Sequence, residues 1–246
     1  MSDIEHANRH HWDSRAKEYD TKPWQKKLIE TVYGELVQQR DLFGLSKQEG
    51  RQEFKLLDYA CGPGTVTRAL IPYVSHVQGV DVSGGMVDEY NSRSRAAGTE
   101  HVASAVQGNL LGDNPYIVPP GSEEKDVDLA SDGRFSDFDA VIVGLGFHHF
   151  EDWVGSLRKL AQRVKPGGVV GIIDLAPSEE HWKHVTEEMR KMMHKSGFTE
   201  EEMKSYMEEA GLVDFKMVWL PEDVTMVLKN DEEVKRKVFF ARGKKP

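Results

Sequence analysis

The residues best suited to chemistry lie where short apolar runs end in glycine, acid or histidine. Leu56-Leu57-Asp58-Tyr59-Ala60-Cys61-Gly62-Pro63-Gly64-Thr65 is the clearest case. An apolar strand runs into Gly-Pro-Gly and a helical stretch follows through Val66–Ile71. Gly62 and Gly64 let the backbone turn sharply and bring it, with Ala60, close to a ligand, while the helix start offers free N–H groups. A Gly-x-Gly alone also fits an ordinary strand-to-helix turn. Two details narrow the ligand. A dinucleotide fold prefers a third glycine where Thr67 stands. Asp58 at the strand end repels an anionic pyrophosphate and favours an ammonium or a sulfonium, and S-adenosylmethionine carries both.

Gln78-Gly79-Val80-Asp81 closes the next run. An acid placed about 20 residues on accepts hydrogen bonds from ribose hydroxyls. Val82-Ser83-Gly84-Gly85-Met86 follows, with Ser83 a suitable N-cap for a helix through Asn91. Met86, with Val82 beside it, is expected against the adenine. Singly, Asp81 reads as a turn carboxylate and Met86 as core, but the joint spacing favours the cofactor. A third run ends at Gln107-Gly108-Asn109-Leu110. Asn109 is the candidate for the adenine amino group and the Leu110 backbone for a ring nitrogen, although an Asn-containing turn explains the same residues.

The fourth run, Phe138-Asp139-Ala140-Val141-Ile142-Val143-Gly144, leads through Leu145-Gly146-Phe147 to His148-His149. Ligands of open α/β sheets bind outside the carboxyl ends of strands. Gly144 is therefore expected at the cofactor and the two histidines near the reacting methyl, where His148 and His149 are the best general-base candidates in the chain. Adjacent side chains diverge and no third ligand is evident, so no metal is expected. The plainer alternative has one ring capping the next helix while the other packs, and it is favoured for at least one of the pair.

Positioning these residues requires strands alternating with helices. The runs Phe54–Tyr59, Val77–Asp81, Val102–Val106, Phe138–Val143 and Val169–Asp174 are mostly too short for helices, and helix-compatible stretches separate them, which argues βαβ units and a mostly parallel sheet. Before them, Leu28, Val32, Leu36 and Leu42 recur at nearly helical spacing. Residues 112–137, rich in proline and acid, read as a surface loop. Beyond Asp174 the chain turns helical and Met-rich, then closes with strand-like Val213–Leu220 and Val238–Arg242, which could pair antiparallel. The expected organisation is one domain over 1–246: helical cover at 1–45, cofactor core at 54–174, a second helical cover at 175–212 and closing strands at 213–246.

Composition sets the outer bounds. The 246 residues are 39% hydrophobic and carry a formal charge of −9. That permits a core and excludes wholesale disorder. It also gives no overall field toward nucleic-acid phosphate or anionic lipid. No apolar run approaches the ~18 residues of a membrane span. The amino terminus lacks the features of a secretory or transit peptide, and Cys61, the lone cysteine, excludes an intramolecular disulfide or cysteine cluster. A soluble, cytoplasmic protein is the expectation.

Asp-Tyr-Ala-Cys-Gly-Pro-Gly (58–64), Gly-Val-Asp-Val-Ser-Gly-Gly-Met (79–86), Phe-Asp-Ala-Val (138–141), Leu-Gly-Phe-His-His-Phe (145–150) and Val-Lys-Pro-Gly-Gly (164–168) together resemble the class I S-adenosylmethionine-dependent methyltransferases, especially the small-molecule branch. The resemblance spans about half of the chain, and its motifs are specific in combination. It implies a Rossmann-like, seven-stranded, mostly parallel sheet with an antiparallel last strand, helices on both faces and S-adenosylmethionine across the strand ends. It also places Tyr19, within Trp12–Asp20, near the cofactor's methionine end. Asn109 departs from the Asp often found there.

The family signatures for methylating base or amide nitrogen, or cytosine carbon, are missing. A small-molecule acceptor presenting O, S or N is thus the leading expectation, with no nucleic-acid or membrane partner. Trp24, Trp153, His181, Trp182 and the methionines are candidate acceptor walls, although ordinary helix core is preferred for most of the methionines. RNA or protein methylation is the alternative. Its basic clusters, Lys26-Lys27, Arg93/Arg95 and Lys235–Lys237, read better as solvated helix faces. A non-catalytic cofactor-binding regulator is the alternative from another class.

Overall fold

The computed structural model describes residues 2–46, 52–125, 133–228 and 232–246. Its strands follow the apolar runs: β1 (Lys55–Tyr59), β2 (His76–Asp81), β3 (Ala103–Asn109), β4 (Tyr116–Val118), β5 (Phe138–Gly144), β6 (Val164–Leu175), β7 (Val213–Trp219), β8 (Val224–Val227), β9 (Glu233–Arg236) and β10 (Val238–Lys244). The helices are α1 (Asp3–Arg15), α2 (Pro23–Gln38), α3 (Thr65–Leu70), α4 (Gly84–Ala96), α5 (Trp153–Arg163), α6 (Glu179–Lys183), α7 (Glu187–Arg190) and α8 (Glu200–Glu209). Among the described residues, eight strands form one sheet in the order β4-β3-β2-β1-β5-β6-β10-β7. Strands β3, β2, β1, β5 and β6 run parallel. Strand β10 inserts antiparallel between β6 and β7, so the two closing strands pair as their sequence allowed.

The pleat divides the apolar residues between two cores. Leu56, Val77 and Ile142 pack under α2 and α3 with Leu28, Val32 and Leu36. Leu57, Val141 and Val143 face the other way, onto Leu157 and Leu160 of α5 and Met203 and Met207 of α8. Burial on both faces explains why these strands read as continuous apolar runs. Each fully buried leucine contributes ~1.5–3 kcal/mol. The helices that cover them start where side chains satisfy free N–H groups: Ser83 accepts from Met86 N–H, Asp152 from Gly155 N–H and Thr199 from Glu202 N–H.

The structure departs from expectation at three places. The sheet has an eighth strand, β4, inside the segment read as a surface loop. Tyr-Ile-Val suits an edge strand, Ile117 is wholly buried, and Gly108 admits the close approach: a Cβ there would lie 2.5 Å from the Tyr116 carbonyl oxygen. Residues 126–132 of that segment lie outside the described residues. Second, β8 and β9 form a separate antiparallel hairpin that packs on α2, so residues 213–246 are more than closing strands. Third, Lys235–Lys237 is not a helix face. Its first two residues belong to β9, and Arg236 is only 2% exposed. Among the described residues no helix is long and apolar enough to cross a membrane.

Candidate active site

The carboxyl ends of β1, β2, β3 and β5 open on one cavity of about 1120 Å³. This exceeds the ~300–1,000 Å³ of a pocket for one small ligand, so there is room for two molecules. One half is built by strand ends, and the other by α1, α2, the 181–196 segment and β8.

At the strand ends, Asp81 presents its carboxylate to the cavity while its oxygens are held by Gly62 N–H and Ser83 N–H, each at 2.9 Å. Burial raises its pKa to about 6, against the hydrogen bonds that lower it. Ala60, Gly62, Val82, Met86, Asn109 and Gly144 share this wall. Gly144 is obligatory by packing, because a Cβ there would lie 2.7 Å from Val66 Cγ2. Ala60 and Leu145 take left-handed φ values of 54° and 58°, two of the four such non-glycine residues among the described residues, at the turns flanking the cleft.

Asp58 lies one layer deeper, in a small side cavity shared with Tyr19, Ala60, Gly62 and Gly144. Its Oδ2 accepts from the Thr67 N–H (3.1 Å) and hydroxyl (2.7 Å), while Oδ1 is buried with no hydrogen-bond partner. Burial pushes this carboxyl up to about 7. An orphaned, buried carboxylate oxygen calls for a cation, and a second carboxylate at the neighbouring strand end suits a sugar diol. The residues present therefore fit S-adenosylmethionine. Thr67 occupies the position where a dinucleotide fold wants glycine, and its hydroxyl joins Asp58 to Tyr90.

Tyr19 closes the side cavity from above, its hydroxyl raised to about 12, first by burial and then by the Asp81 charge. The next residue, Asp20, forks onto the Arg93 guanidinium. Helix α1 is fastened nearby: Asp13 Oδ1 accepts from the Ser83 hydroxyl (2.7 Å) and from Gly85 N–H (3.0 Å).

The histidine pair sits where the two halves meet, and both rings line the cavity. Asp174, at the end of β6 and wholly buried, accepts from His148 N–H (3.0 Å), His148 Nδ1–H (2.8 Å) and Leu175 N–H (2.7 Å). Burial alone would raise its pKa, but the attraction of His148 and these hydrogen bonds hold it below the ordinary carboxylate value. With Nδ1–H committed, Nε2 is the acceptor nitrogen of His148. His149 donates Nδ1–H to the Met192 carbonyl (3.1 Å), and burial followed by the adjacent His148 lowers its pKa to about 3, so it is neutral. Trp12 of α1 stands edge-on to His149 at 5.7 Å. Neither histidine caps α5; Asp152 does.

Several expected contacts are corrected. Gly64 does not line the cavity; it is the left-handed N-cap of α3 and packs on Tyr90. Leu110 is buried and its N–H is taken by the Tyr59 hydroxyl at 3.2 Å, so it has none to give a ring nitrogen. Asn109 reaches the wall, yet its Oδ1 already accepts from Tyr59, Leu111 and Gly112, which is the turn role. Trp24 and His181 line the half of the cavity built by the helices and β8. Trp153 and Trp182 do not: Trp153 stacks on Tyr206 and meets Phe198 behind α5, and Trp182 turns under Arg190. The methionines split, with Met203 and Met207 in the core and Met189, Met192 and Met193 on the wall. Sequence reasoning missed Asp174 as the partner of His148, Asn8, His11 and Trp12 from α1, and Met226 to Leu228 from the hairpin. An acid at the end of the fifth apolar run was the one available signal.

A mostly parallel sheet with an antiparallel penultimate strand, two carboxylates at adjacent strand ends and a histidine pair at a fourth are those of a class I methyltransferase fold. A family model described as a methyltransferase domain matches residues 28–216, and the chain belongs to that family. It is similar to an uncharacterized methyltransferase of Schizosaccharomyces pombe, 27% identical over 188 residues, which is 74% of this chain but only 62% of that protein's length. Among solved structures it resembles the phosphoethanolamine N-methyltransferase 2 of Haemonchus contortus in complex with S-adenosyl-L-methionine, with TM-score 0.57 and 17% identity over 85% of this chain and 51% of that one. It also resembles the geranyl diphosphate C-methyltransferase of Streptomyces coelicolor in complex with S-adenosyl-L-homocysteine, with TM-score 0.58 and 16% identity over 85% and 78%.

Proposed function

We propose that the protein transfers a methyl group from S-adenosylmethionine to an oxygen, sulfur or nitrogen nucleophile of a small, largely apolar molecule, with His148 as general base. The observation that carries this reading is His148, held from behind by the buried Asp174, on the wall of the same cavity as Asp81. Two relatives of the same fold are named for small-molecule acceptors.

When bound, S-adenosylmethionine supplies an electrophilic methyl group on a sulfonium. Asp58, Asp81, Tyr19 and Met86 would hold it. The chain's remaining task is alignment and exclusion of water, and α1, with Trp12, and the 181–196 segment cover the histidines. His148 Nε2 accepts the proton that an acceptor O–H or S–H gives up as the new bond to carbon forms. Asp174 keeps that ring in the required tautomer and offsets the charge it gains. A neutral amine delivers its proton to the same nitrogen after transfer. His149 is a wall rather than a base: its Nδ1 partner is the neutral Met192 carbonyl, which cannot offset the charge of an imidazolium as a carboxylate does, and burial beside His148 makes the ring resist protonation.

The test is turnover of S-adenosylmethionine to S-adenosylhomocysteine over a panel of phenols, thiols and amines. His148→Gln should lose about 10²–10⁴-fold in rate with any acceptor found, while His149→Gln should lose far less. Equal rates in His148→Gln and the parent chain would leave proximity as the whole mechanism.

A further inference from the structure

Behind the acceptor half of the cavity lies a buried cation with no role in methyl transfer. On β9, Glu233 and Lys235 point outward while Val234 and Arg236 point inward. Strand pairing sets Met226 opposite Val234 and Val224 opposite Arg236, so Arg236 shares the face of the hairpin that bears Met226, a cavity-lining residue. Its Nη2 donates to the carbonyls of Ala176 (2.8 Å) and Ser196. Ser196, Leu175 and His181 all line the cavity, so the guanidinium head stands directly behind that wall.

Its remaining nitrogens, Nε and Nη1, are buried without an acceptor, and so is Nδ1 of His181. Burial lowers the His181 pKa to about 4, with Arg236 the next cause, so that ring stays neutral and can donate a hydrogen bond. The nearby carboxylate of Asp174 acts on Arg236 only through space, its oxygens being engaged by His148 and Leu175. A buried guanidinium with unmet donors is costly unless an acceptor arrives, and its planar fork matches an oxyanion.

Building on the methyltransferase reading, we propose that Arg236, with His181 beside it, recognises a compact oxyanion group, a carboxylate or a phosphate, carried by the acceptor. The oxyanion anchors one end of the molecule at the end of β6 while the methionines hold its apolar body. The nucleophile is then presented to His148, whose partner Asp174 lies in the same cluster.

The test uses the full chain saturated with S-adenosylhomocysteine and calorimetric titration of benzoate, phenyl phosphate and benzyl alcohol. The parent chain should bind at least one of the two anions about tenfold or more tighter than the alcohol, and which anion wins distinguishes carboxylate from phosphate. Arg236→Met should abolish that preference while leaving affinity for benzyl alcohol and S-adenosylhomocysteine unchanged. Arg236 also ties two carbonyls, so His181→Phe provides a second variant, expected to reduce the preference several-fold. A parent chain that binds S-adenosylhomocysteine but does not favour either anion overturns the oxyanion site and leaves the transferase reading intact. Retention of the preference in folded Arg236→Met also overturns it. Failure to bind S-adenosylhomocysteine sinks the transferase reading itself.

Discussion

Replacing Asp174 by Asn is the most informative single change, because the geometry dictates what an amide must do there. The carboxylate accepts three hydrogen bonds in a site closed to solvent. An amide offers one oxygen and one NH2. If the NH2 takes the place of Oδ2 it meets the His148 backbone N–H; if it takes the place of Oδ1 it meets Leu175 N–H. Either way a buried backbone donor loses its acceptor, at about 1–3 kcal/mol of stability. In the second orientation the NH2 also donates to Nδ1, which moves the ring proton to Nε2 and removes the base. The expected loss in kcat is about 10²–10⁴-fold, with S-adenosylhomocysteine affinity changed by less than about twofold, since no cofactor-facing group moves. Stopped-time assay of S-adenosylhomocysteine formation, with calorimetry on the same preparation, measures both quantities. Folded Asp174→Asn and His148→Gln proteins that both turn over within about fivefold of the parent would refute the assignment of His148 as base.

Asp81→Ala should weaken S-adenosylhomocysteine binding by about 1.5–3 kcal/mol, measured by calorimetry, and an unchanged dissociation constant in folded protein would remove Asp81 from the cofactor site. Without ligand, Asp58 and Asp81 are raised from 3.8 to about 7 and about 6; the stability they contribute is complete below the unfolded value and is lost as pH rises through the folded ones. A cation beside ionised Asp58 reverses that trend, so cofactor affinity should strengthen by about tenfold from pH 6 to pH 8, and a flat profile would mean Asp58 does not face the ammonium. Asp20→Asn should raise the KM for S-adenosylmethionine a few-fold by freeing the Tyr19 turn from Arg93, with kcat nearly constant. Hydrogen exchange should show α1 gaining protection with S-adenosylhomocysteine and the 181–196 segment gaining more with acceptor; equal exchange in all states would make both segments inert decoration.

The strand-end half of the cavity was largely legible because its signals are local, Gly64 and Leu110 being the exceptions. A glycine turn and an acid at a strand end sit within a few residues of each other, and burial on both faces gives those strands an unbroken apolar signature. The opposite half was legible only in part, at Trp24, His181 and some of the methionines, because it depends on helix phase and long-range pairing. Trp153 and Trp182 have the right side-chain type, but each helix turns them away from the cavity. Leu110 lost its expected role to a hydroxyl 51 positions away in the chain, on Tyr59. Strand β4 is three residues long and β9 has charged residues at three of its four positions, so neither rises above the polar texture around it. Arg236, in a basic triplet, reads as solvent-facing until β8 supplies the partner strand that turns it inward.

The division of the cavity walls bears on how such a chain can diverge. On the proposed reading, the groups that would hold the cofactor come from strand termini that the core holds rigid, whereas those that would meet the acceptor come from α1 and α2, the 181–196 segment and the β8 turn, three stretches far apart in sequence. Under the proposed function, drift in any one of them would reshape what is methylated without disturbing the scaffold, and that independence would make the catalytic frame inheritable while the chemistry it serves is exchanged. Grafting all three stretches together from a relative, rather than altering single positions, is the natural unit for transplanting acceptor choice.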